Sequence, residues 1–425
     1  MKKINEFVLF VFFKVIYDFI YIFITTDIFD YMNSILVFNI YRYIINWIVF
    51  LLLLISILYF LKDNIMSFVL KSLFIFSAIP TISLYGLKEM NNEAFFLMTL
   101  YWGVMICSFA LIQNLKIYNE NKKSKDWYNN FRYTNILFVG SIIMTIFLWG
   151  FYGDFRILIS FSNVYDYRLA LREVQIPSFL RYAMLWLGNV FLPYCFTIFL
   201  LYKKVGRAII TFSGGVMLFS INGLKSWLIV YFLIACIFFI YKKGYRLNRY
   251  TGVLSLLVIM YGLIAIIMYM VGGSISLVAM YHRVFSVPAE INYNYFTFFS
   301  NNEALLLRES ILRHIASSPY AIGSSFIIGD LFGGNSTTNA NNGMFGDAYA
   351  NFKTIGILIY PIVLSVIFKI LDSFTRDRDT RVVISILLIL IWNLINASFF
   401  MWLLSGGVVI FLLLFYFDRK RNLIQ

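Results

Sequence analysis

The chain has 425 residues, of which 61% are hydrophobic and only 13% charged, with a mean hydropathy of +0.80. That leaves too little polar side chain to cover a soluble domain of this length. The formal net charge of +14 would suit a nucleic-acid binder in a soluble protein. Here it fits cationic loops facing the cytoplasm and anionic lipid, and no nucleic-acid partner is expected.

The apolar residues fall in runs of roughly 17–25, the length that crosses the hydrocarbon core as helix. Strand-length alternation is absent, which excludes an outer-membrane barrel. The start, Met1-Lys2-Lys3, imitates a signal peptide. The apolar stretch that follows is long, aromatic, interrupted by Lys14 and Asp18, and lacks a small-residue cleavage site, so it is read as the first membrane helix. Twelve spans are predicted, at 4–24, 40–61, 65–85, 94–115, 134–152, 181–201, 207–222, 226–241, 250–272, 354–371, 382–398 and 402–417. The fold class is an all-α integral membrane protein, and residues 1–425 form a single polytopic membrane domain. The seventh and eighth spans are short and separated only by Gly223-Leu224-Lys225. Cys107, Cys195 and Cys236 each sit inside an apolar run and are read as packing residues with no disulfide framework.

Basic residues assign the sides. Lys2-Lys3, Lys62, the loop from Lys116 to Arg132, the turns around Lys203 and Lys242, the loop from Arg376 to Arg381 and the tail Arg419-Lys420-Arg421 hold most of the 35 Lys and Arg. Counting twelve spans puts all of them on one side, which the positive-inside rule makes cytoplasmic, with both termini. The two longest non-membrane segments, 153–180 and 273–350, then face outward. They carry Arg156, Arg168, Arg172, Arg283, Arg308 and Arg313. Outward arginines run against the bias, and either a bound anion or snorkelling to lipid phosphates compensates for them.

A loop as long as 273–350 is uncommon unless functional. Ser286-Val287-Pro288 reads as a helix start, with serine as cap and proline in the first turn. Ser300-Asn301-Asn302-Glu303 fits a capping box opening a second helix through Ala316, with leucines and isoleucines beside Arg308, Glu309, Arg313 and His314. Such short helices are expected to lie in the interface plane. Pro319 ends the second one, and Asn335 to Asn342 form an amide-rich loop before the chain re-enters the membrane.

Soluble-enzyme motifs are missing: no phosphate-binding Gly-Lys-Ser loop, zinc cysteine pairs or metalloprotease His pair occurs. Asp377-Arg378-Asp379 has the Asp-x-Asp pattern of metal-dependent glycosyltransferases but reads as a solvated cytoplasmic charge run. Asp27 and Asp30 are the alternative metal ligands; two acids three apart are common by chance, and no metal or cofactor is expected. Tyr281-His282-Arg283, at the outer end of the ninth span, is more informative. An Arg fork matches a lipid pyrophosphate, and His moves a proton near neutral pH. The competing reading is an interfacial His beside a snorkelling Arg. Asp166 and Arg168 form either a self-satisfied pair or a sugar and phosphate contact. Lys225 is costly between two apolar spans unless paired or snorkelling.

The stretch Asn342-Gly343-Met344-Phe345-Gly346-Asp347-Ala348-Tyr349-Ala350-Asn351-Phe352, followed by Ile355-Gly356, resembles a signature of bacterial O-antigen and oligosaccharide repeat-unit polymerases, the Wzy-type family. Tyr165-Asp166-Tyr167-Arg168, His282-Arg283-Val284-Phe285 with Pro288-Ala289, and Asn222-Gly223-Leu224-Lys225-Ser226 are similar to that family as well. Lys353 departs from it, standing where a glycine is expected after Asn-Phe. So does the absence of a clean Arg-x10-Gly repeat, to which Arg313 to Gly323 comes nearest.

The resemblance implies glycosyl transfer on the outer face of the cytoplasmic membrane, with no metal. A glycan leaves undecaprenyl pyrophosphate and joins a hydroxyl of a lipid-linked repeat unit. It implies an undecaprenyl-pyrophosphate-linked oligosaccharide and membrane lipids as partners, with a chain-length regulator protein as accessory. Arginines suit the leaving pyrophosphate. Arg283 with His282, Asp166 or Glu290 as base form the expected catalytic set. Arg168, Arg172, Lys225, Arg313, Asn342, Asp347, Tyr349 and Asn351 are the expected substrate contacts. Two rivals use the same lipid: a flippase, which places basic residues between repeated halves, and an O-antigen ligase, which delivers the glycan to the lipid A core.

Overall fold

The computed structural model describes residues 2–29, 34–115, 131–157, 174–241, 247–333, 338–376 and 378–421. They form helices and connecting turns, with no strand among them. Among the described residues, ten helices are long and apolar enough to cross a membrane. They are α1 (Lys3–Ile28), α2 (Ile40–Phe60), α3 (Ile65–Leu87), α4 (Asn92–Ile112), α5 (Tyr133–Gly153), α6 (Ser178–Leu201), α7 (Val205–Asn222), α9 (Arg249–Gly272), α12 (Met344–Thr375) and α14 (Phe399–Phe417). The apolar helices α8 (Lys225–Ile240) and α13 (Thr380–Asn396) overlap the two remaining predicted spans but are shorter than these ten. The protein is therefore all-α and multi-pass. The helix α10 (Ile275–Asn301) and the short α11 (Ser324–Gly333) lie within the segment predicted to be a loop.

The chain divides into two compact units. The first comprises Met1–Tyr118, Arg246–Asp372 and Leu394–Phe400. In it α1 packs on α9, α2 on α3, and α10 on both α9 and α3. The polar interruptions of the first span are paired inside this bundle. Lys14 Nζ lies 2.8 Å from Asp18 and 2.8 Å from Ser83 Oγ, with its ammonium 4.6 Å from the centre of the Trp47 ring. Lys71 Nζ is 2.7 Å from Glu6. An intramembrane charge with no partner would cost several kcal/mol, so these pairings are what permit α1 to carry charge at all.

The second unit comprises Asn119–Tyr245, Ser373–Asn393 and Met401–Gln425. Its core gathers Trp227, Tyr231, Leu192 and Leu218. Within α14 the helix breaks between Phe399–Leu403 and Val408–Arg421. Three successive carbonyls at the break are each satisfied by a side-chain N–H: Leu404 by Trp186, Ser405 by Asn189 and Gly406 by Asn393. Unwound backbone among apolar helices requires such donors, because no water is at hand.

The largest departure from the sequence expectation is in 273–350. Pro288 does not open a helix; it lies inside the 27-residue α10. Ser300 does not cap a new helix either, since its Oγ donates back to Thr297 O. Residues 306–315 are turns, with Leu306 and Leu307 at positive φ of 49° and 65°. Their amides are claimed from elsewhere: Leu305 N–H donates to Ala350 O, Leu306 N–H to Asn351 O, and Leu307 N–H to Asn351 Oδ1. These bonds replace the local ones that a helix would need. The chain re-enters helix at Met344, ten residues before the expected 354.

Candidate functional site

His282, Ser286 and Glu290 stand one turn apart along α10 and so share a stripe of that helix. All three are buried, at 2%, 1% and 7% exposure. Aromatic packing fixes the helix that holds them. Phe285 stacks on Phe76 at 5.5 Å and packs on Phe13 at 5.3 Å. Two tyrosines of α1, also one turn apart, meet the polar stripe: Tyr17 OH donates to Ser286 Oγ at 3.3 Å, and Tyr21 OH to Glu290 Oε1 at 3.2 Å.

A third contribution comes from the connection between α1 and α2. Val37 N–H donates to Leu87 O and Asn39 N–H to Gly86 O, so the connection lies against the end of α3. A Cβ at Gly86 would come within 2.6 Å of Tyr43 Cα, so glycine permits this approach. Ser34 is thereby seated between the two groups on α10. Its Oγ donates to Glu290 (3.0 Å to Oε1, 3.2 Å to Oε2) and lies 3.2 Å from His282 Nε2. With the Ser34 proton directed at Glu290, a neutral His282 carries its own proton on Nε2 and donates to Ser34. The imidazole stacks on Phe29 at 4.3 Å with its plane 5° from parallel. Lys88, in the residue that ends α3, puts Nζ 3.4 Å from Glu290 Oε2.

The electrostatics follow from this enclosure. Burial lowers His282 to about 4, and the Arg283 and Lys88 charges push the same way. The imidazole is therefore neutral at neutral pH. Burial also raises Glu290 above the ordinary carboxylate value, against the opposing pull of Lys88 and the hydrogen bonds from Ser34 and Tyr21. A carboxyl group and a neutral imidazole that share one hydroxyl are equipped to take and pass a proton. Arg283 is exposed and forms no hydrogen bond or ion pair among the described residues.

The expected residues divide as follows. His282 and Glu290 come together, with Arg283 adjacent; but the trio does not cap the ninth span, which ends at Gly272. Asn342, Asp347 and Asn351 also come together, in a network of their own. Asp347 Oδ1 accepts from Asn342 Nδ2 at 2.9 Å and from Asn351 Nδ2 at 3.1 Å, while Oδ2 accepts from Phe399 N–H at 2.9 Å. Tyr349 is buried against Phe296 and Phe345. The polar groups of this stretch are engaged in holding the chain together. Its Gly346 N–H donates to Asn292 of α10, which ties the stretch to the helix that carries the site. Arg313 is exposed and donates to His314 Nε2. Lys225 is exposed at the start of α8, in the second unit. Asp166, Arg168 and Arg172 lie outside the described residues, as does Asp30. Asp27 accepts from Tyr269 OH at 3.2 Å.

Sequence reasoning missed Ser34, Lys88 and Tyr21. Lys88 carried a signal, since the side assignment makes it an outward cation like the arginines. A lone serine in a loop and a tyrosine in an apolar helix carried none. No protein-family model, curated protein or solved structure matches this chain.

Proposed function

We propose that the chain is an inner-membrane glycosyltransferase that polymerises polyprenyl-pyrophosphate-linked oligosaccharide repeat units into an O-antigen or capsule-type polysaccharide, with its active site on the outward face. The observation that carries this reading is the meeting of His282 and Glu290 through Ser34 Oγ, with Lys88 at 3.4 Å and Arg283 exposed beside them. The reaction needs a base for the acceptor hydroxyl and cations for a leaving diphosphate, and this cluster holds both. The acceptor oxygen forms a bond to the anomeric carbon as the bond from that carbon to the pyrophosphate oxygen breaks. The hydroxyl proton passes to Glu290. The electron pair leaves on the lipid pyrophosphate, whose growing charge Arg283 and Lys88 stabilise. The resemblance of the Asn342–Phe352 and His282–Phe285 stretches to repeat-unit polymerases points the same way.

Reconstitution with a lipid-linked repeat unit alone tests the reading. The expected product is a ladder of chain lengths. Transbilayer movement without a ladder would mean a flippase, and product formed only when lipid A core is added would mean a ligase.

A further inference from the structure

The Lys88–Glu290 pair poses a chemical conflict. A carboxylate held by an ammonium is a poorer base than a free one, and an ammonium held by a carboxylate is a poorer ligand for an anion. At 3.4 Å, Lys88 is also the most distant of Glu290's hydrogen-bond partners, against 3.0 Å from Ser34 and 3.2 Å from Tyr21. Those two donors would remain if Lys88 left. Lys88 is also favourably placed to leave. It is the residue at which α3 ends, in extended backbone with φ −131°, and its side chain keeps 16% exposure where that of Glu290 has 9%. The nearby Arg283 has its guanidinium uncommitted among the described residues. Arg283 adjoins His282 on α10, and His282 is linked through Ser34 Oγ to the carboxylate that Lys88 holds.

We propose that Lys88 exchanges partners: it is held by Glu290 when the site is empty and is drawn to a diphosphate when one binds beside Arg283, which frees Glu290. The diphosphate's identity rests on the glycosyltransferase reading; the exchange itself rests on the ion pair. No bond forms or breaks. One ion pair is replaced by another, and the dianion gains a second cation while the carboxylate keeps its two neutral donors. The consequence is order: the base becomes competent only after the donor's head group has arrived. Lys88 is then a binding residue for the head group and a positioning residue for Glu290.

The exchange makes a prediction of unusual sign. Removing the negative charge of Glu290 should strengthen anion binding, because Lys88 no longer has to be withdrawn from it. Calorimetry on the purified full chain would measure affinity for inorganic pyrophosphate and for farnesyl pyrophosphate. Glu290→Gln should tighten binding about tenfold, within the roughly 5- to 150-fold range of coupling free energies, and Lys88→Gln should weaken it comparably. Glu290→Asp keeps the charge but draws it back by one methylene; it should tighten binding by a smaller factor and serves if the glutamine variant does not fold. Tightening seen with both ligands assigns the site to any diphosphate; tightening seen only with the farnesyl compound assigns it to a lipid head group. Unchanged or weaker binding in both Glu290 variants overturns the exchange, as does failure of the wild type to bind either ligand. Because no polymerisation is read, a missing ladder and a missing exchange are separate results.

Discussion

Ser34 and Glu290, 256 positions apart in the chain, are joined by one hydroxyl that lies within 3.0 and 3.2 Å of the two carboxylate oxygens. The same oxygen is 3.2 Å from His282 Nε2. A loop residue therefore couples the only two described groups that the sequence reading offered as bases. A hydrogen bond to a charged group contributes about 1.5–3 kcal/mol. Ser34→Ala should therefore reduce polymerisation roughly 10- to 150-fold, with protein abundance in the membrane near normal. A variant as active as wild type would show that the hydroxyl only fills space.

His282 gives a prediction in pH. Its folded value of about 4 lies below the ordinary 6.5. Between those values the unfolded chain binds a proton that the folded chain refuses. The stability contributed by the neutral imidazole is thus complete above pH 6.5 and shrinks as pH falls toward 4. Glu290, raised by burial, works in the opposite direction, so the informative quantity is the difference between wild type and His282→Gln. The melting temperature of wild type should fall more steeply from pH 6.5 to 4.5 than that of His282→Gln. Parallel curves would mean that the imidazole meets solvent.

Lys353 breaks α12 with φ 52° and ψ −135°, a backbone conformation that favours glycine. This is the position where the resemblance expects a glycine. Its ammonium partly compensates by donating to Asn302 O at 2.6 Å. Left-handed backbone costs a side-chain-bearing residue about 1–2 kcal/mol. Lys353→Ala should therefore be the least stable of the three, since it keeps the strain and loses the bond, and Lys353→Gly should exceed it by about 1–2 kcal/mol in thermal or denaturant unfolding. Equal stability of the two variants would show that the strain is relieved elsewhere.

The ten long spans were legible because each contains an apolar run of helix length, and the shorter α8 and α13 overlap the two other predicted segments. Segment 273–350 was not legible, for local reasons. Ser286-Val287-Pro288 is a helix start on local grounds, yet Pro288 is buried inside α10, where packing against α3 and α9 outweighs one lost backbone bond. Leu306 and Leu307 adopt positive φ because their amides bond the end of the Asn342–Asn351 stretch, a constraint that lies some 40 residues downstream. The site was half legible. His282 and Glu290 declared themselves as titratable groups in an unusual place. Their meeting through Ser34, and the arrival of Lys88, depend on how the ends of α1, α2 and α3 close around α10, which no local pattern encodes.

The outward placement has its own test. Asn339 is exposed and lies between α11 and α12. Asn339→Cys should react with a membrane-impermeant maleimide on intact cells or spheroplasts. Labelling only after permeabilisation would reverse the assignment of sides.

The most direct measurement is the chain-length ladder made from a lipid-linked repeat unit by wild type, Arg283→Lys and Arg283→Ala at matched membrane abundance. Lysine keeps the charge of Arg283 but loses the two-pronged contact that a diphosphate accepts. Loss of one such contact in the transition state amounts to about 2–4 kcal/mol, or roughly 30- to 1000-fold in rate. The account predicts a ladder from wild type and its near-complete loss in both variants. No ladder from wild type, or a normal ladder from Arg283→Lys, would contradict it.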